Sequence, residues 1–175
     1  AAGAEILINV NASPVHRGKS SERLERVKSC AATHELPIIY VNQVGGQDEL
    51  VFDGGSFAID AQGELSVSAQ TFIEAFPLVT VDRLSDPRLV PGDTVAERED
   101  LDAVWQALVL GMRDYVDKNG FPGVVLGLSG GIDSAVTLAV AVDALGPQRV
   151  EAVMMPFRYT ASMSVEGAAE EAKAL

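Results

Sequence analysis

Cysteine, histidine, basic charge and long apolar runs are all scarce in this 175-residue chain, and each shortage excludes something. A single cysteine, Cys30, rules out an internal disulfide framework. His16 and His34 have no ligand partners at metal-site spacing, so both read as solvated side chains and not as zinc ligands. No apolar run reaches the roughly 18 residues of a membrane span. The longest candidate, 136–145, is short and interrupted by Asp143. No basic stretch leading into an apolar run opens the chain, so no secretory signal is visible. Lys and Arg number 13 against 25 Asp and Glu, a formal net charge of −12. Phosphate neutralisation supplies most of the affinity of nucleic-acid binders, so RNA and DNA are disfavoured as partners. A small polyphosphate is not disfavoured, because local backbone dipoles and a metal ion can hold one whatever the global charge. The resulting expectation is a cytoplasmic protein that acts on small molecules, with no membrane or nucleic-acid partner.

Hydrophobic residues make up 47% and charged residues 22%, as in a globular protein of one domain or parts of two. The chain opens without Met, close to a strand pattern at Ile6. It closes inside a helix-like run, 166–175, with no stop signal. It therefore reads as a fragment of something longer.

The apolar run 6–10 predicts a buried strand, followed by a loop through Pro14. Leu24, Val27 and Ala31 mark a helix over 19–35, with Ser20 and Ser21 as N-cap candidates. Pro37 ends it, and 38–41 reads as the next strand. Residues 44–49 read as a loop with two glycines. A strand-like segment, 52–59, then runs around Gly54 and Gly55. A turn over 60–63 leads to another short strand, and 78–81 reads as the last strand of this half. Residues 82–97 have linker composition, with Pro87, Pro91 and Gly92. Leu101, Val104, Trp105, Leu108, Met112 and Tyr115 predict a helix face, and Trp105 reads as core packing. Gly120 and Pro122 stop that helix. A buried strand over 124–128, a helix over 132–145 and a strand over 150–154 then predict a parallel crossover unit.

Between that strand and helix lie Gly127, Leu128, Ser129, Gly130, Gly131, Ile132, Asp133 and Ser134. This is where an open parallel sheet presents its ligand crevice. The glycines admit a phosphate without Cβ clashes, and the helix amides and dipole favour its negative charge. Ser129 and Ser134 can add hydroxyl donors. A Walker loop needs a lysine before its Ser or Thr, and none is present; the spacing also fails the dinucleotide fingerprint. Asp133 beside a polyphosphate would repel it unless a bridging Mg²⁺ turned repulsion into coordination, so Asp133 is the candidate metal ligand. A plain glycine-rich turn would not need two serines, paired glycines and an acid together.

Ser129-Gly130-Gly131-Ile132-Asp133-Ser134 resembles the SGGxDS signature of the N-type ATP pyrophosphatases. That group includes synthetases for NAD, GMP, asparagine and argininosuccinate, and tRNA-thiolating enzymes. Arg113-Asp114-Tyr115-Val116 and Lys118-Asn119-Gly120-Phe121, leading into the loop, are similar to the start of the synthetase domain of glutamine-dependent NAD synthetases. Met155-Pro156-Phe157-Arg158-Tyr159-Thr160 is similar to that family's second ATP-side loop, although the family more often has Ser at positions 157 and 161. Asn11-Ala12-Ser13-Pro14, Gly18-Lys19, 37–42 and 45–54 resemble the later part of a nitrilase-type glutaminase domain. The fold implied is α/β: the end of a nitrilase-like αββα sandwich over 1–81, a linker over 82–97, and the first βαβ units of a doubly wound ATP pyrophosphatase domain over 98–175.

The resemblance implies ATP and Mg²⁺ as cofactors, with ATP held by residues 127–134 and Thr160 and Mg²⁺ by Asp133. It implies amidation of deamido-NAD through an adenylated carboxylate, with AMP and pyrophosphate released. The ammonia would come from glutamine, held by Ser13 and Lys19, and homo-oligomers are expected. The Glu-Lys-Cys triad of the glutaminase would lie upstream of residue 1. Cys30, in a helix pattern, reads as a small buried apolar residue and not as that nucleophile. Lys19, read without the family, is an ordinary helix-start residue. Asp48 and Glu49 read as a solvated loop, and Arg158 as facing either phosphate or solvent. Two alternatives stand beside this reading: another amidotransferase with the same loop, and a nucleotide-binding fragment without turnover.

Overall fold

The computed structural model describes residues 3–83, 88–156 and 162–175, the last without the side chains of Ser162 and Met163. The chain forms two compact units, Ala1–Gly45 with Leu50–Ala107, and Gly46–Glu49 with Leu108–Leu175.

In the first unit, β1 (Leu7–Asn11) leads through a loop to α1 (Lys19–His34) and β2 (Ile38–Asn42). A hairpin of β3 (Val44–Gln47), whose residues 46 and 47 are grouped with the second unit, and β4 (Leu50–Asp53) follows, then β5 (Phe57–Ile59) and β6 (Leu65–Ser68). The main sheet has the order β1-β2-β5-β6. β1 lies parallel to β2, with Leu7 opposite Ile38 and Asn11 opposite Asn42. β5 is antiparallel to both β2 and β6. Side chains alternate across a strand, so the sheet has two covered faces. On one, α1 packs Ala31 against Ile38, Tyr40, Phe57 and Ile59. Tyr40 and Phe57 are register partners whose rings stack at 5.0 Å, a geometry worth about 0.5–1.5 kcal/mol beyond area burial. On the other face Ala58 and Val67 pack with Leu89.

Leu89 belongs to the stretch read as linker. β7 (Val81–Asp82) pairs there with β8 (Arg88–Leu89), and Gly92 and Asp93 hydrogen-bond to Ser66 and Ser68 of β6. Low periodicity marked an irregular segment, but one tied down by backbone hydrogen bonds. Other expectations are corrected. The strand expected over 78–81 shrinks to Val81–Asp82, with Leu78 89% exposed. The glycine-containing loop 44–49 begins as a strand, because glycine lowers strand propensity without forbidding pairing. The segment 52–59 is broken at Gly54 and Gly55, both left-handed at φ 63° and 61°. Helix α1 is capped by Gly18 (φ 75°) and not by serine; Ser21 Oγ donates instead to Glu97 at 2.6 Å. Cys30 is exposed, since it lies off the Leu24–Val27–Ala31 stripe.

The helix α2 (Asp100–Lys118) begins in the first unit and continues into the second from Leu108; Val109, Leu110 and Val116 are buried. The face expected from Leu101, Leu108 and Tyr115 is instead exposed at 79%, 49% and 53%. Apolar residues occur on more than one side of this helix, so periodicity alone does not choose the buried one. β9 (Val124–Gly127) and β10 (Val150–Val153) pair in parallel, with α3 (Ile132–Leu145) between them in sequence. β9 is only half-buried, with Val125 69% exposed. Leu128, Leu138 and Ala168 of α4 (Ser162–Ala174) form the core of this unit.

Candidate functional site

The glycine-serine loop joins the end of β9 to the start of α3. The amide of Leu128 still pairs with Val153 O at 2.9 Å, so the sheet register carries into the loop. Gly130 then turns left-handed at φ 76°. A Cβ there would collide with the backbone carbonyl of Ser164, so glycine is required twice over. Gly131, at φ −104°, is the N-cap of α3 and supplies no side-chain cap. The first amides of the helix have no intrahelical partner. They form, with the helix dipole, a site for an anion at an open end.

The hydroxyls of Ser129 and Ser134 brace this loop. Ser134 Oγ donates to Gly131 O at 2.9 Å and accepts from Ser129 N at 3.3 Å. It also lies 3.1 Å from Ser129 Oγ, which accepts from Gly131 N at 3.3 Å. Through these contacts the two serines brace the loop.

Asp133, in the first turn of α3, is exposed, and its carboxylate takes no hydrogen bond or ion pair among the described residues. No group of three or more His, Cys, Asp or Glu gathers to hold a metal among the described residues. A single carboxylate beside an anion site fits Mg²⁺, which is commonly held by one or two carboxylates, phosphate oxygens and water. Thr160, the remaining ATP-side candidate, lies outside the described residues, as does Arg158.

In the first unit, Ser13 lies in the loop between β1 and α1, and Lys19 is the first residue of α1. No hydrogen bond joins their side chains, and the Lys19 ammonium has no ion-pair partner among the described residues. The backbone of Ser13 is held by Asn42. A cavity of about 400 Å³ opens beside the start of α1, with His16, Gly18, Asp53, Thr71 and Arg98 in its wall; Ser13 and Lys19 are not part of that wall. Sequence reasoning missed a buried set behind Ser13: Arg23, Asn42 and Asp53, each about 7% exposed or less. One signal was available. Arg23 sits four and eight residues before Val27 and Ala31, on the side of α1 that faces the sheet.

Two family models match the chain in order: carbon-nitrogen hydrolase over residues 1–85 and NAD synthase over 104–175. The glutamine-dependent NAD(+) synthetase of Rhodobacter capsulatus is 46% identical over 100% of this chain and 32% of its own length. That of Xylella fastidiosa is 47% identical over 99% of this chain, again 32% of its own length. The solved glutamine-dependent NAD+ synthetase of Acinetobacter baumannii, in complex with adenosine diphosphate, superposes with a TM-score of 0.90 at 46% identity, over 96% of this chain and 32% of that one. The corresponding structure from Cytophaga hutchinsonii shares the fold, with a TM-score of 0.60 at 24% identity. The chain spans about a third of the length of the curated relatives it matches. Two family matches in this order, with relatives that align over nearly the whole of this chain, match it to a fragment of a glutamine-dependent NAD(+) synthetase.

Proposed function

We propose that this segment belongs to an enzyme that amidates deamido-NAD to NAD, using ATP and glutamine-derived ammonia and releasing AMP and pyrophosphate. Residues 1–81 are the later part of its glutaminase, 98–175 the start of its synthetase, and 82–97 the stretch between. The observation that carries the reading is the loop between β9 and α3: a helix N-terminus without a side-chain cap behind an obligatory left-handed Gly130, with no lysine in the loop and an Asp133 whose carboxylate has no partner among the described residues. Without a lysine to reach a γ-phosphate, this loop suits retention of pyrophosphate as the leaving group. The amides of residues 132–134, at the start of α3, are placed to face the developing negative charge, and Asp133 would supply one oxygen to a Mg²⁺, whose charge would neutralise it. Residues 127–134 and Thr160 bind ATP, and Ser13 and Lys19 hold glutamine. The Acinetobacter baumannii relative, solved in complex with adenosine diphosphate, supports an adenine nucleotide as a ligand of the enzyme.

The test is product analysis on the full-length protein, with ATP, Mg²⁺, deamido-NAD and either glutamine or ammonia. AMP, pyrophosphate and NAD are expected in equal amounts. ADP as the sole nucleotide product would overturn the reading.

A further inference from the structure

The loop carrying Ser13 is held by a side chain from another strand. Asn42 ends β2, opposite Asn11 of β1. Its Oδ1 accepts from the Ser13 amide at 2.9 Å, and its Nδ2 approaches Ser13 O at 3.4 Å. The carboxamide thus grips the Ser13 backbone as a neighbouring strand residue would. The two hydrogens on Nδ2 go chiefly to Asp53 Oδ1 at 2.9 Å and Gly54 O at 3.1 Å. These acceptors fix the orientation of the amide, since turned over it would set its oxygen against a carboxylate and a carbonyl.

Asp53 is itself held at two points, by Arg23 Nη1 at 3.2 Å and Nη2 at 2.7 Å. The guanidinium lies 5.7 Å from the centroid of the Tyr40 ring. Arg23 and Asp53 are both more than nine-tenths buried, and Arg23 Nε finds no partner among the described residues. For folding alone, apolar residues of similar volume would serve this position as well or better. What the buried pair does that apolar residues would not is aim the Asn42 carboxamide. The Ser13 hydroxyl meanwhile takes no partner among the described residues.

We propose that Asn42 is a positioning residue for glutamine use, fixing the Ser13 loop while Asp53 and Arg23 fix Asn42. The proposal rests on the reading of Ser13 as a glutamine-holding residue. It is a role in binding geometry, so it should appear in KM for glutamine and not in the ammonia-driven reaction.

Two substitutions in the full-length enzyme separate the possibilities. Asn42→Asp keeps an acceptor for the Ser13 amide but turns an oxygen toward Asp53 and Gly54. Arg23→Lys keeps the charge and gives up the two-point grip. Initial rates are measured with glutamine and, separately, with ammonium chloride. Asn42→Asp is expected to raise KM for glutamine about tenfold, with kcat within about threefold and the ammonia-driven rate unchanged. Arg23→Lys should raise KM less. An unchanged glutamine KM, or an equal loss of rate with both nitrogen sources, would overturn the proposal. Should Asn42→Asp not fold, Asn42→Ala removes the tether without adding a charge and carries the same expectation, with the same overturning results. A wild-type enzyme that uses ammonia but not glutamine overturns the assignment of Ser13 itself, and that failure is distinct because it needs no substitution.

Discussion

Gly130 and Gly131 stand side by side in the phosphate-loop candidate, yet the backbone asks different things of them. Gly130 is left-handed at φ 76° with the Ser164 carbonyl in the way of any Cβ; Gly131 is at φ −104° with Ser129 Oγ 3.4 Å from where a Cβ would sit. Gly130→Ala is expected to destabilise the chain by about 2 kcal/mol or more, from the left-handed penalty plus displacement of α4. Gly131→Ala should stay within about 1 kcal/mol. Urea unfolding of the two variants checks this, and equal losses would contradict the geometry. Ser134→Ala removes the hub of the loop bracing and is expected to cost about 1 kcal/mol. At this scale the sequence exposed the loop because its residue types are chemically unusual together. It did not expose the Arg23–Asp53–Asn42 set, because those residues come from α1, β4 and β2 and have no common spacing.

Helices and strands were legible where one apolar period dominates. Helix α1 follows its Leu24–Val27–Ala31 stripe, and α3 ends where Gly146-Pro147 demand. Helix α2 was legible as a helix but not in its orientation, since more than one side is apolar. Its C-terminal end is tied by Arg149, which donates to Pro122 O at 2.9 Å and Phe121 O at 3.1 Å and pairs with Asp117 at 2.8 Å. Arg149→Ala should cost about 1–2 kcal/mol of unfolding free energy, largely from the two carbonyls it leaves to solvent; a thermal melt with no shift would discount that tie. Strand β1 is the edge of its sheet among the described residues, with Ile8 64% and Val10 74% exposed. Such an edge invites pairing with another chain. For the 175-residue chain in isolation, Ile8→Lys with Val10→Lys is expected to reduce self-association, as read by light scattering. An undiminished signal would place the sticky surface elsewhere.

The whole chain is acidic, and its proposed anion site depends on local dipoles and not on net charge. Mg-ATP is therefore expected to slow amide hydrogen exchange in the first turn of α3 and leave β2 and β5 unaffected. Saturation at a hundredfold over Kd would add about 2.7 kcal/mol to that part of the chain. Uniform slowing, or none, would argue against the loop as the nucleotide site. The sequence by itself determined the α/β character, the order of the two halves and the phosphate-loop candidate. Periodicity and short contiguous motifs are local properties, written within a few turns of chain. Tertiary structure alone decided which face of α2 is buried and that residues 88–93 lie against the first sheet. It also decided that Ser129 and Ser134 brace the loop against each other and that Ser13 is held from β2. Each of these depends on pairs of residues whose separation in sequence does not reveal their separation in space. Burial then makes the outcome specific, because a polar group withdrawn from water must find the one partner the fold brings to it.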